Sequence, residues 1–316
     1  MSSSSNHDDH AGAVGTDEVP GSFPSGAVAD DPGLKLACRL EVLPGDTARH
    51  RIDNAAAFGF EGVALPGRMK SLWLEELTHA GAGELALPLT SVSLGFEGTL
   101  VSPDAGVRQR CRDSLERLFD VCRQLGIGLV NLPPVLRQDH PQLTLAAGDH
   151  ESCREWDRRL VEELAIVGTA AAGRGVRLLL EPVNRYESDY LHTLAHADRL
   201  CGEANQAAIG YTADLFHMQL EELSPERALW EGREWLGLVH VAENTRVEPG
   251  PGSMDFARCF AALRAIGYRG WVEIECRSLT GPAEQVLPRS AAHLREAWDE
   301  AGKLAGLWQG QQAKGA

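Results

Sequence analysis

Eight short apolar runs, each followed by a longer stretch of helical periodicity, leave this chain very few folds to adopt. The runs fall at residues 36–40, 62–65, 89–94, 127–132, 176–181, 208–214, 236–241 and 271–275. Amphipathic patterns at 48–58, 72–80, 103–125, 151–173, 191–204, 225–231, 254–266 and 283–304 predict the helices that follow them. A run that is apolar without alternation suits a strand covered on both faces, as in a parallel sheet. Strand-then-helix units in strict succession imply right-handed crossovers, with consecutive strands side by side. Eight such units close a barrel, and 316 residues exceed the length of about 250 that one (β/α)8 barrel takes.

The expected organisation is a single α/β domain, a TIM barrel over residues 34–308, with no second domain. Residues 1–33 are rich in Ser, Gly, Asp and Ala and hold no Lys or Arg. So little apolar area cannot offset the entropy of ordering the backbone, and the segment reads as a disordered tail. His7 and His10 read there as solvated side chains, loose metal binding being the alternative. Residues 309–316 read as a flexible C-terminus. A formal net charge of -15 argues against a nucleic-acid surface, which needs clustered Lys and Arg. Over most of the surface that acidity maintains solubility. The seven cysteines are scattered with no C-x-x-C pair, as expected of reduced thiols in a cytoplasmic protein. No window approaches about 18 uninterrupted apolar residues, and the N-terminus lacks a secretory pattern, so no membrane span or export is expected.

The chemistry reads from where the strands end. Residues 178–187 run from three leucines into Glu181, with a second carboxylate, Glu187, six residues further on. Barrel enzymes carry their sites at this C-terminal edge. The later strands end similarly, at Asp214, His240 and Glu275, spaced by 33, 26 and 35 residues, about one βα unit each. Neighbouring strand ends bring the four side chains together, and three crowded carboxylates repel one another unless a cation sits between them. With one imidazole added, the donor set suits Mn²⁺, Mg²⁺, Co²⁺ or Zn²⁺. The plainer reading of each member is a helix-capping Asp, an ion-paired Glu or a His satisfied by a backbone partner. Glu273 shares the strand face of Glu275 two residues deeper. Glu275 is the expected ligand because the mouth is wet, and Glu273 is expected to pair with a basic residue inside the barrel.

The loops add Glu187, then His217 in Asp214-Leu215-Phe216-His217-Met218, then Arg246, which a Pro/Gly turn at 249–252 would fold back over the mouth. The patterns E-P-x-N-R-x-E, D-x-F-H-M, H-x-x-E-x-x-R-x-x-P-G-x-G and the G-x-V-x-x-E ending at Glu275 resemble the xylose-isomerase-like TIM barrels of the sugar isomerase/epimerase group. D-tagatose 3-epimerase and hydroxypyruvate isomerase are members of that group. The strong match covers about residues 176–276. The resemblance implies that Glu181, Asp214, His240 and Glu275 bind one divalent metal ion, Mn²⁺ being favoured. It also implies that Glu181 and Glu275 act as the acid/base pair and that Glu187, His217 and Arg246 hold the substrate's oxygens. The first half departs from the ketose epimerases, since their aromatic substrate-pocket residues find no match here.

The expected activity is metal-dependent isomerisation or epimerisation of a small carbohydrate, by proton abstraction beside a carbonyl through an enediolate. A homo-oligomer or a small partner subunit fits the same reading. The alternative enzyme is a lyase or dehydratase acting on a keto-sugar by β-elimination, such as a C-glycoside deglycosylating catalytic subunit. For that chemistry the long loop at 134–150 leaves room for an aglycone, and His140 or His150 is an extra acid/base candidate. Endonuclease IV resembles the chain at several of these ligands, but its Asp-x-His pair is missing after the seventh strand. A metal- or sugar-binding barrel without catalysis is the remaining class.

Overall fold

The computed structural model describes residues 33–80, 84–146 and 148–312. Residues 1–32, with His7 and His10, and residues 313–316 lie outside that range. Eight parallel strands close in chain order: β1 (Lys35–Arg39), β2 (Gly62–Pro66), β3 (Leu89–Ser93), β4 (Leu129–Leu132), β5 (Arg177–Leu180), β6 (Ile209–Asp214), β7 (Leu236–Val241) and β8 (Trp271–Ile274). The described helices are α1 (Ala48–Ala57), α2 (Leu74–Ala80), α3 (Ala105–Leu125), α4 (His150–Ala172), α5 (Leu194–Ala204), α6 (Leu215–Glu221), α7 (Pro225–Glu231), α8 (Phe256–Ala265) and α9 (Ala283–Gln312). All eight expected strands are present. The helix α6 stands where a loop was expected after Asp214, and α9 runs eight residues past its expected end at Leu304.

Alternation along each strand separates two kinds of interior. Leu178 and Leu180 of β5, Val239 and Val241 of β7, and Val272 and Ile274 of β8 belong to the continuous apolar core beneath the helices. Each such side chain contributes roughly 1.5–3 kcal/mol by leaving water. The residues between them, Leu179, Leu238, His240 and Glu273, are also buried but lie outside that cluster, in the barrel's own lumen. Sequence closeness of small residues makes room there: a Cβ on Gly237 would come within 2.6 Å of Leu179 Cδ2. Towards the C-terminal rim the lumen turns polar, with Asn131, Thr212, Asp214, His240 and Glu273 all buried.

The strand register sets the height of each of these groups. Asp214 pairs with His240 across β6 and β7, and His240 with Glu273 across β7 and β8, so the three share one level. Ala37 pairs with Glu273 across β1 and β8, which puts Arg39 two residues higher, level with Glu275. None of the seven cysteines is disulfide-bonded. Among the described residues, no helix is long and apolar enough to cross a membrane.

Candidate active site

The four strand ends meet. One donor atom from each of Glu181, Asp214, His240 and Glu275 lies within 4.8 Å of the other three, and all four residues are buried. His240 Nδ1 sits 2.9 Å from Glu181 Oε1 and 3.2 Å from Glu275 Oε2. The second oxygen of Glu181 accepts a 2.8 Å hydrogen bond from Asn131 Nδ2 on β4, and Asn131 Oδ1 accepts one of 2.7 Å from Thr212 on β6. The carboxylate is thereby held from two neighbouring strands. Asp214 divides its oxygens: Oδ1 caps α6 by accepting from Phe216 N at 2.9 Å, while Oδ2 accepts from Arg246 Nη1 at 2.7 Å. One oxygen of this residue thus caps a helix while the other faces the cluster.

Glu273 has its basic partner inside the barrel, as expected, and that partner is an imidazole. It takes hydrogen bonds from Thr90 Oγ1 at 2.6 Å and Ser91 Oγ at 2.8 Å, and its basic neighbour is His240, whose Nε2 lies 3.3 Å from Glu273 Oε2. Among the described residues no Arg or Lys is paired with it, and the strand register puts it level with His240. That imidazole nitrogen is buried and makes no well-aligned hydrogen bond within the protein. Burial would push the His240 pKa down, but the carboxylates of Glu275, Glu181 and Glu273 reverse this and hold it well above the usual value. For Glu275, burial would raise the pKa, and the charges of His240, Arg39 and Arg246 hold it well below the ordinary carboxylate range.

Arg246 is the cation over the cluster. Its Nη1 donates to Asp214 and its Nη2 to Glu275 Oε2 at 2.6 Å, while the guanidinium stacks 4.4 Å from the Phe216 ring centroid. The chain also turns at Arg246 itself, which adopts φ 61°, ahead of the bends at residues 249–252, where Gly250 has φ 126°. Buried Glu243 anchors that turn, accepting from Gly250 N at 2.7 Å and Met254 N at 3.1 Å. A Cβ on Gly252 would fall 2.2 Å from the same carboxylate, so glycine is required by close approach.

His217 Nδ1 accepts from the backbone N–H of Asn184 at 3.2 Å, which assigns the proton of a neutral ring to Nε2, 3.5 Å from Asp214 Oδ2. Glu187 stands further out, where it pairs with Arg277 Nη2 at 3.0 Å. The Arg277 backbone N–H donates in turn to Arg246 O at 2.8 Å, so the loops after β5, β7 and β8 are tied across the mouth. His140 Nε2 lies 3.2 Å from Gly98 O, and His150 is an exposed residue at the start of α4.

Three participants were not foreseen. Arg39, at the end of β1, donates to Glu275 Oε1 and pairs with Glu41 Oε1 at 2.5 Å. Asn131 and Thr212 lie inside apolar strands, where a single polar residue at an inward position was the available signal.

The donor set accommodates a divalent ion. Metal–ligand bonds of about 2.0–2.2 Å place ligand atoms about 3–4.4 Å apart, and the present separations need little contraction to reach that. Three carboxylates and one imidazole match Mn²⁺, Mg²⁺, Co²⁺ or Zn²⁺, and among the described residues no cysteine joins this donor group. The description "xylose isomerase-like TIM barrel" matches the sequence over residues 52–297. The chain belongs to the xylose isomerase-like TIM barrel family. Within this family it is 30% identical over 263 residues to 3-dehydro-D-guloside 4-epimerase of Escherichia coli K12, covering 83% of this chain and 99% of the relative. It is 32% identical over 208 residues to L-ribulose 3-epimerase of Mesorhizobium japonicum, covering 66% and 67%. The crystal structure of the 3-keto-D-glucoside 4-epimerase of E. coli superposes with a TM-score of 0.73 at 27% identity, covering 83% of this chain and 99% of that one. Family members of this kind are sugar epimerases, and this chain is an enzyme of that isomerase class.

Proposed function

We propose that this protein is a divalent-metal-dependent epimerase or isomerase of a keto sugar, working by proton transfer at a carbon beside the carbonyl. The single observation carrying this reading is the convergence of Glu181, Asp214, His240 and Glu275 within 4.8 Å, with Arg246 and His217 above them. The activities of the relatives, 4-epimerisation of a 3-dehydro-guloside and 3-epimerisation of ribulose, both need a C–H bond next to a carbonyl, which supports the same chemistry here.

A divalent ion held by the four residues supplies Lewis-acid polarisation of the carbonyl and its neighbouring hydroxyl. The remaining work falls to the chain. Glu181 and Glu275 both border His240 Nδ1 from the ends of different strands, and in this reading one carboxylate takes the proton and the other delivers one. Delivery to the opposite face of the same carbon gives the epimer; delivery to the former carbonyl carbon gives the isomer. Glu275 is held ionised by His240, Arg39 and Arg246, the protonation state in which a carboxylate can accept a proton. His217 Nε2–H and the Arg246 fork donate to the enediolate oxygens as charge develops on them. Asn131 fixes the rotamer of Glu181, and Phe216 shields the guanidinium from water. Glu187 takes a substrate hydroxyl at the outer rim beside Arg277.

The test is incubation of the Mn²⁺-supplemented protein with free ketoses and keto-glycosides in deuterium oxide. Deuterium at the carbon beside the carbonyl, with epimer formed, is the expected result. Release of an aglycone in place of epimer would establish elimination. Absence of exchange into every ketose and keto-glycoside, with bound sugar detectable, would establish a binding protein.

A further inference from the structure

The catalytic cluster uses the ends of β5 to β8, and the other half of the same rim carries a second cavity. It has a volume of about 740 Å³ and is lined by residues that follow β2, β3 and β4, among them Phe96, Pro133, Pro134, Gln138 and His140. None of Glu181, Asp214, His217, His240, Arg246 or Glu275 lines it. Because the eight strands close in chain order, the two regions are halves of one mouth. They are neighbours in the strand order at both ends. Pro133 stands two residues beyond Asn131, which donates to Glu181, and Arg39, which donates to Glu275, pairs in register with Ala64, three residues before the lining residue Gly67.

Resting on the epimerase reading, we propose that this cavity is a subsite for a second neutral ring carried on the glycosidic oxygen, so that the substrate is a keto-glycoside rather than a free ketose. Three observations carry the assignment. The size falls within the range of about 300–1,000 Å³ that whole drug-sized ligands fill, well beyond what the tail of one ketose occupies. The lining is mixed in the way a sugar ring needs: Phe96 is partly open and gives an apolar face for ring C–H groups, while Pro133 and Pro134 in the same lining are buried. Gln138 is exposed, and His140, whose Nε2–H donates to Gly98 O, presents Nδ1 as an acceptor. The lining holds two basic and two acidic side chains, Arg68, Lys70, Glu97 and Asp139, so their formal charges cancel. Arg68 pairs with Asp139 and Lys70 Nζ donates to Gly95 O at 2.6 Å, leaving no free basic fork to select a phosphate or a carboxylate. At the junction, Arg39 Nε and Glu41 Oε2 are buried without hydrogen-bond partners in the protein. A donor and an acceptor side by side at that point fit the hydroxyl groups next to a glycosidic bond.

The test compares kcat/KM of the Mn²⁺-loaded enzyme on a free ketose, a 3-keto methyl glucoside and a neutral 3-keto disaccharide. The disaccharide is expected to exceed the methyl glucoside by about tenfold, chiefly through KM, the scale of one ring-stacking contact. Phe96→Ala and the cavity-filling Gln138→Trp are expected to abolish that advantage and leave the methyl glucoside within about twofold, since neither residue belongs to the catalytic cluster. Equal handling of the two glycosides by the wild type, or an equal fall on both in each variant, would overturn the subsite. Exchange into none of the three sugars would overturn the epimerase reading instead. In that event calorimetric binding of the disaccharide decides on the cavity: binding weakened about tenfold in Gln138→Trp upholds it, and no binding or unchanged binding overturns it. An aryl 3-keto-glucoside run alongside distinguishes an aromatic second ring from a sugar.

Discussion

Glu273 Oε2 lies 3.3 Å from His240 Nε2, on the edge of the imidazole opposite to the nitrogen that faces Glu181 and Glu275. The ring is thus spanned by carboxylates, and the lower one is fixed by the hydroxyls of Thr90 and Ser91. A carboxylate behind a liganding imidazole sets its tautomer and orientation and raises its basicity.

Glu273→Gln is therefore expected to weaken Mn²⁺ binding about 10–100-fold while the circular dichroism spectrum stays that of a folded barrel. Calorimetric titration of the metal-free variant with Mn²⁺ measures it. An unchanged dissociation constant would mean that Glu273 fills space and nothing more.

Glu181→Gln and Glu275→Gln remove the two groups able to move a proton without changing side-chain volume. Turnover is expected to fall at least about 10³-fold in each, within the span attributed to general acid–base catalysis. Steady-state kinetics, with metal content measured on the same samples, separates loss of the base from loss of the ion. Wild-type turnover in either variant would remove that residue from the acid/base pair.

Arg246→Lys keeps the charge and loses the fork. One ammonium cannot reach both Asp214 Oδ2 and Glu275 Oε2 while lying over Phe216. A fall of about 10–100-fold in kcat/KM is expected, the scale of one charge-assisted hydrogen bond. A fall below threefold would show that the cation matters only for its charge.

Asp157 governs a pH effect remote from the mouth. It accepts from His196 Nε2 at 2.7 Å, Arg199 Nη2 at 2.6 Å and Tyr190 Oη at 2.8 Å, tying α4 to α5. Burial would raise its pKa, but these hydrogen bonds and the neighbouring positive charge lower it from 3.8 to about 2. A depressed carboxylate pKa means stabilisation that is complete above about pH 4 and is lost as pH falls towards 2. Asp157→Asn should reduce stability by about 1–2 kcal/mol at neutral pH, after allowance for solvent screening, and by progressively less below pH 4. Urea unfolding of both proteins between pH 7 and pH 3 measures this, and a gap independent of pH would assign the effect to packing.

Much of the fold was legible because a buried strand and an amphipathic helix leave local signatures. The eight apolar runs and the position of Glu181 at the end of one of them needed no tertiary information. Short-range chemistry was harder to read. Asp214 was recognisable as a strand end, yet α6 beginning at Leu215 was not, because seven residues with one capping carboxylate carry too little periodicity. Glu273 was visible as a buried acid, but its partners Thr90 and Ser91 are more than 180 residues away in sequence. Arg39 looked like an ordinary strand residue until the closing β1–β8 pairing put it level with Glu275.

By itself, the order of residues determined the barrel and which strands end in Glu181, Asp214, His240 and Glu275, since hydrophobic periodicity acts through neighbours three or four positions apart or fewer. Barrel closure decided the rest: which carboxylate faces His240 from below, which arginine rests on Glu275, and that the ends of β2 to β4 leave a cavity beside the cluster. Those relations depend on strand register and on side chains that meet across the lumen, and no local pattern encodes a distance between residues a whole barrel apart.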